Sequence, residues 1–256
     1  METITSSSNS KIVIYSKLNE KKYRDEYKMF LLENYKLTVE AIKRNEDIVA
    51  ILIRDDMVEK YQDIIDKKRE NVLVCSRNVF SKISDTVTSQ GIITVAKIKK
   101  QNPIEEVKGK TLVLDRIQDA GNMGTLMRSA VGFGFENVIL VNSVDPFNPK
   151  VVRSCGGSVF SLNILKNTEK EVILHAKSNN FAVFVADMDG KDLYEVNDFP
   201  ANSMVIIGNE GQGVSTCFTE NSTSKIMIPM TDKLESLNAG VSGAIIMSYI
   251  HSKTKV

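Results

Sequence analysis

Cysteine and histidine are scarce: 256 residues hold three of the first and two of the second. Cys75, Cys155 and Cys217 are widely spaced and odd in number. Neither a disulfide framework nor a metal-ligand spacing is visible, and reduced thiols are expected. A histidine-based metal site or a Ser/His/Asp triad would have to use His175 or His251, and neither stands in a suggestive context. No metal is therefore expected. Apolar runs are short, none approaching the roughly 18 residues of a membrane-spanning helix. The first nine residues are polar and serine-rich, with no apolar segment behind a basic one, which speaks against a secretory signal. Residues 1–10 are expected to form a disordered tail. What remains is an ordinary globular mixture, 42% hydrophobic and 25% charged, which can bury a real core.

Net charge is +1, but it is unevenly spread. Residues 1–100 carry 19 Lys and Arg against 15 Asp and Glu, a balance of +4; the remaining 156 carry 14 against 17, a balance of −3. A basic first half is compatible with contact to nucleic acid, and equally with a solvated surface.

Hydrophobic periodicity divides the chain in two. Residues 17–44 read as helix, with an apolar stripe through Tyr27, Phe30, Leu31, Tyr35, Leu37, Val39 and Ile42. Residues 47–54, 72–75 and 91–97 read as strands and 57–69 as helix, which predicts a small α/β domain with a mainly parallel sheet over residues 11–97. Residues 98–110 are charged and contain Pro103, as a linker would. From residue 111 strands are expected at 111–114, 137–141, 181–186, 204–208 and 225–228, with helices between them and a last helix over 238–251. Residues 111–256 thus form a second α/β domain.

Three stretches of the second half differ from ordinary core. Residues 115–134 follow a strand and open a helix. Gly121, Asn122 and Gly124 could place free N–H groups at its start, as an anion site does, with Arg128 a turn further on. The third glycine of GxGxxG is missing, so a nicotinamide-dependent oxidoreductase is disfavoured. Residues 205–215 end a buried strand in Gly208, Asn209, Glu210, Gly211, Gln212 and Gly213. Three glycines in six residues permit close approach of backbone to a ligand. In residues 226–243 a strand ends at Pro229, and Ser236, Leu237 and Asn238 precede a helix of small residues. Either Ser236 or Asn238 could cap that helix, and its small residues suit tight packing or a dimer seam.

In this order and spacing, the three stretches resemble the motifs of the SpoU (TrmH-like) branch of the SPOUT RNA 2′-O-ribose methyltransferases. The first is Asn122-Met-Gly124-Thr-Leu-Met-Arg128, the second Gly208-Asn209-Glu210-Gly211, the third Ile228-Pro229-Met230 followed by Glu235-Ser236-Leu237-Asn238. Residues 145–160 resemble the stretch between the first two motifs. Residues 21–33 and 84–96 are similar to the L30e-like substrate-binding domain that precedes many such catalytic domains. Asn34 and Ala239-Gly240 depart from the usual residues at their positions and leave the motif cores intact.

The resemblance implies a parallel catalytic sheet with a C-terminal trefoil knot, a homodimer, and methyl transfer from S-adenosylmethionine to a ribose 2′-hydroxyl, in ribosomal RNA by preference. A tRNA substrate and a catalytically silent RNA-binding or assembly factor of the same fold stay open as alternatives. By motif position Gly208, Asn209, Ile228, Met230 and Leu237 would hold the cofactor, with loop amides and carbonyls on the adenine edge. Arg128, Asn122, Glu210, Ser236 and Asn238 would form the catalytic site. A guanidinium keeps its proton, so Arg128 reads as a phosphate clamp that stabilises charge on the 2′-oxygen rather than as a base. Glu210 and Asn122 would orient Arg128 or the ribose. Lys21, Lys22 and Arg24 are candidate RNA contacts, with neither metal nor membrane involved and a cytoplasmic location.

Overall fold

The computed structural model describes residues 1–254. Two compact units emerge, one of residues 1–99 with 147–160, the other of residues 100–146 with 161–256.

The first unit is built on β1 (Glu2–Ile4), α1 (Ser10–Lys17), α2 (Lys21–Tyr27), β2 (Met29–Leu32), α3 (Tyr35–Lys43), β3 (Ile48–Arg54), α4 (Gln62–Lys68), β4 (Val72–Cys75), α5 (Arg77–Ser81) and β5 (Ile92–Lys97). Its sheet runs β1-β4-β3-β5-β2. β1, β4 and β3 are parallel, while β5 is antiparallel to both β3 and β2, so the sheet is mixed rather than mainly parallel. Three expectations change here. Residues 2–4 are not a disordered tail: they add a parallel edge strand, Thr3 opposite Val74, and bury Ile4. Residues 17–44 are not one helix. Lys28 adopts a left-handed backbone (φ 52) that ends α2, and the apolar run Met29–Leu32 then pairs with β5. Residues 57–69 begin as tight 3-10 turns and become α-helical only at Gln62.

The second unit contains β6 (Thr111–Asp115), α6 (Ala120–Gly132) and β7 (Asn137–Val141). Next along the chain comes α7 (Pro149–Cys155), which the sequence places with the second domain but which folds against β2 of the first unit. The reason is apolar and ionic at once. Phe147 and Phe160 pack on Phe30, with ring centres 5.0 and 6.3 Å away. Arg153 bridges the buried Glu33 (3.3 Å) and Asp85 (2.8 Å). The chain then returns to the second unit as β8 (Asn163–Lys166), α8 (Glu169–Ser178), β9 (Ala182–Asp192), β10 (Ser203–Gly208), α9 (Thr216–Glu220), β11 (Ser224–Met227) and α10 (Ala239–Lys253). The sheet order is β11-β9-β10-β6-β7-β8, parallel throughout. Parallel strands covered on both faces read as continuous apolar runs, and three of the central ones, β6, β7 and β10, are almost wholly buried. β8, only four residues long, carries too little pattern to be read from sequence.

Two features of this unit position the site. β9 and β11 pair at Val185 opposite Lys225 and again at Lys191 opposite Ile226, so residues 186–190 bulge out of the ladder. α10 packs along α6 and β10. Its small residues serve that contact: a Cβ on Gly243 would lie 2.2 Å from Leu126 Cδ2, and one on Gly240 3.2 Å from Thr125.

Candidate functional site

A cavity of about 370 Å³ opens at the carboxyl ends of β10 and β11, beside the bulge in β9. That is where an open parallel sheet collects ligands, and the size suits a small organic molecule. Its walls come from the bulge within β9, the glycine loop after β10, residues 226–230 and the segment leading into α10. All five residues expected to hold a cofactor line it: Gly208, Asn209, Ile228, Met230 and Leu237. Glu210 and Ser236 line it too.

The glycine loop is closed on itself. Gly213 N–H donates to Asn209 O (2.9 Å), and the Asn209 side-chain oxygen accepts from the amides of Gly211 (2.9 Å) and Gln212 (3.3 Å). Gly208 fits because it has no Cβ: one would stand 2.3 Å from Gly213 C and 2.4 Å from Val214 N. The amides of 211–213 are thus spent inside the loop. Adenine-edge contact through those donors is not what the loop offers; its shape is.

Three of the five expected catalytic residues are brought together. Asn238 Nδ2 donates to Asn122 Oδ1 (2.9 Å), and Asn122 Nδ2 donates in turn to Glu210 Oε1. The partners stand 116 and 88 positions apart in sequence. Asn238 also caps α10, its Oδ1 accepting from Val241 N (3.2 Å). Gly121, Asn122 and Gly124 do not form a free turn. They lie inside α6, and Asp119 caps that helix, its carboxylate on the Asn122 amide at 2.8 Å. An anion site at this helix start is excluded by that carboxylate.

Arg128 stands apart. It is exposed on α6 and has no hydrogen-bond or ion-pair partner among the described residues. Six residues separate it from Asn122, roughly 9 Å along a helix axis. Within one chain Glu210 therefore bonds Asn122 and not Arg128.

The expected RNA contacts in the first unit divide. Lys21 and Lys22 are exposed; Lys21 pairs with Asp25, and the Lys22 ammonium sits 5.5 Å from the Tyr23 ring centre. Arg24 is 2% exposed and donates through Nη1 to Leu18 O at 2.7 Å. It ties α2 to the end of α1, and burial removes it from any RNA-facing role.

Sequence reasoning missed two groups. Asp187, in the bulge within β9, lines the cavity and pairs with Lys225 at 2.7 Å. Burial pushes its carboxyl up, but hydrogen bonds from Lys225 and the Asp189 amide, with the Lys225 charge, outweigh that and hold it below its ordinary value. Asp115 and Arg116, at the end of β6, bind the outer side of the glycine loop. Asp115 and Arg116 stand at the carboxyl end of a strand, which was the available signal for them. Among the described residues no cluster could hold a metal ion, and no helix is long and apolar enough to cross a membrane.

A parallel α/β sheet with a shaped cavity at the carboxyl ends of its strands, rimmed by amides and carboxylates, defines a ligand-binding enzyme-like unit joined to a smaller accessory one. The SpoU rRNA Methylase family model matches residues 109–248, and the model of an MRM3-like substrate binding domain matches residues 9–94. The chain belongs to the SpoU family. It is 29% identical over 254 residues to the 23S rRNA (guanosine(2553)-2′-O)-methyltransferase RlmP of Bacillus subtilis, covering 98% of this chain and 99% of that one. A solved RNA 2′-O ribose methyltransferase superposes with TM-score 0.82 at 26% identity over 98% of both chains. An rRNA methyltransferase of Sinorhizobium meliloti, also solved with AdoMet bound, shares the fold at TM-score 0.88, with 23% identity over 100% of this chain and 99% of that one.

Proposed function

We propose that the protein transfers a methyl group from S-adenosylmethionine to a ribose 2′-hydroxyl of ribosomal RNA. One observation carries this reading: the hydrogen-bonded series Asn238, Asn122, Glu210 on the rim of a cavity walled by Gly208, Asn209, Ile228, Met230 and Leu237. The cavity fits the cofactor. Gly208 is packed so tightly on Gly213 that the wall is smooth backbone, Ile228 and Leu237 offer apolar faces for a purine, and Asp187 and Glu210 offer carboxylates to a cationic ligand. S-adenosylmethionine, when bound, supplies a methyl already activated toward displacement by its sulfonium.

The residues of the chain then have positioning and charge to provide. Asn122 and Asn238 hold each other at fixed geometry, and with Glu210 and Ser236 they offer donors and acceptors to a ribose. Arg128 keeps its proton and clamps the phosphate beside the target, stabilising charge on the 2′-oxygen. Its separation from the other three within one chain supports a homodimer in which Arg128 of one copy serves the cavity of the other. The knotted backbone that the family implies is supported by the strand order, with β10 between β9 and β6. The first unit, through Lys21 and Lys22, docks the RNA before residue 97, and the catalytic unit follows from residue 111. Ribosomal RNA is favoured because RlmP, which matches nearly the whole chain, is named for 23S rRNA. Its work lies in the cytoplasm, with RNA and a second copy as partners.

The test is transfer of radiolabelled methyl to unmodified ribosomal RNA, wild type beside Arg128→Ala. Label in an alkali-resistant linkage, lost in the variant, supports ribose methylation; label in alkali-sensitive nucleotides overturns it.

A further inference from the structure

We propose that Arg116 is a positioning residue for the methyl donor, bracing the cavity's glycine loop from its outer side; this rests on the methyltransferase reading. Arg116 follows β6 directly and holds a left-handed backbone (φ 59), which a long side chain rarely adopts. Strain of that kind persists only where the surroundings impose it. Here the surroundings are the end of β7, where Val141 O accepts the Arg116 N–H at 2.8 Å, and the loop itself. Asn209 Nδ2 donates to the Arg116 carbonyl at 3.2 Å. Arg116 Nη1 donates to Gln212 Oε1 at 3.0 Å, and Nη2 to Gly213 O at 3.3 Å. The same guanidinium pairs with Asp115 at 3.3 and 3.2 Å, and fully buried Asp115 accepts from Ser215 N–H at 2.7 Å.

Residues 209, 212, 213 and 215 are thus tied to the consecutive pair 115 and 116. Asn209, Gln212 and Gly213 line the cavity, and Arg116 does not. Arg116 therefore acts on a ligand only through the loop. A glycine-rich loop has much freedom to lose when a ligand binds, and holding it beforehand raises affinity. The planar fork is needed because one group must reach a carboxylate, an amide oxygen and a main-chain carbonyl together; an ammonium reaches fewer.

The experiment uses the full chain and S-adenosylhomocysteine as probe. Titration calorimetry gives its Kd for wild type, Arg116→Ala and Arg116→Lys. Hydrogen exchange follows residues 209–215, and steady-state kinetics separate KM for S-adenosylmethionine from kcat. The expected result is a Kd raised about tenfold in Arg116→Ala and less in Arg116→Lys. KM rises in parallel, kcat at saturation changes little, and the loop amides exchange faster. If Arg116→Ala fails to fold, because Asp115 loses its partner, Arg116→Lys and Gln212→Ala carry the test. Gln212→Ala removes one anchored acceptor and leaves Asp115 paired, with a Kd raised about threefold expected. An unchanged Kd in these folded variants overturns the brace, as does a fall in kcat at unchanged Kd. A wild type that binds no S-adenosylhomocysteine overturns the methyltransferase reading itself, and the two failures are told apart by that control.

Discussion

Asn238 and Asn122 are joined at 2.9 Å, so the residue that caps the last helix also fixes a side chain on the first helix of its unit. Asn238 does both with opposite ends of one amide: Oδ1 takes the Val241 amide and Nδ2 donates to Asn122. Asn238→Asp separates the two roles. Aspartate caps a helix about as well as asparagine but has no donor for Asn122. Thermal unfolding should stay near wild type while methyl transfer falls about tenfold or more, roughly 1.4 kcal/mol of barrier. Asn238→Ala should lose the cap as well, about 1 kcal/mol of stability. Equal activity in Asn238→Asp and wild type would remove the pair from the reaction.

Gly208 marks the tightest place in the cavity wall. Its added Cβ would meet backbone atoms of Gly213 and Val214, which cannot swing aside as a side chain can. Gly208→Ala must therefore open the loop. Overpacking of this kind costs about 1–3 kcal/mol. Binding of S-adenosylhomocysteine should weaken by more than about tenfold, beyond what the loss of stability explains. Full binding in a folded Gly208→Ala would mean that the loop's closure is irrelevant to the ligand.

Much of the second unit was legible because its strands are buried on both faces. Val138–Val141 is apolar without interruption, and no helical spacing competes with it. The first unit hid more. Met29–Leu32 lies between charged segments at helical spacing, and only the left-handed Lys28 separates it from α2. Two residues per repeat over four residues is too little pattern to outweigh a longer helical stripe. Arg24 looked like its neighbours Lys21 and Lys22 in sequence, because burial of a charge depends on a partner elsewhere, here Leu18 O. The motif residues Asn122, Glu210 and Asn238 could be named from their resemblance to a family. That they bond to one another could not, since contacts across 88 and 116 positions carry no local signal.

Glu33 is a buried carboxylate of the first unit. It accepts from Ser84 and Thr86 hydroxyls, the Asp85 amide at 3.1 Å and Arg153 at 3.3 Å. Glu33→Gln keeps the shape, removes the charge and turns an acceptor into a donor facing other donors. Leaving such groups unsatisfied costs about 1–3 kcal/mol. Arg153→Ala should destabilise through the same network, and the double variant should lose less than the sum, with a coupling of about 0.5–3 kcal/mol in a double-mutant cycle followed by urea unfolding. Additive losses would show that Arg153 and Glu33 contribute independently.

The thiols set a last expectation, for alkaline stability and labelling. Burial pushes Cys75 up to about 12, with smaller contributions from Asp55 and Glu2, and raises Cys155 as well. A thiol with a folded value above its unfolded value binds its proton more tightly in the fold. That stabilisation is complete below the unfolded value, near 9.0, and is lost as pH rises toward about 12. Urea unfolding at pH 8, 9.5 and 10.5 should show stability falling across the series, and Cys75→Ser should flatten that slope. Only the thiolate alkylates, so iodoacetamide at pH 8 should leave Cys75 and Cys155 unmodified in the folded chain and react with both in urea. Partly exposed Cys217, itself raised by burial and by Glu169, should react slowly in the folded chain. Rapid native labelling of Cys75 would show that β4 opens far more readily than its burial between β1 and β3 implies.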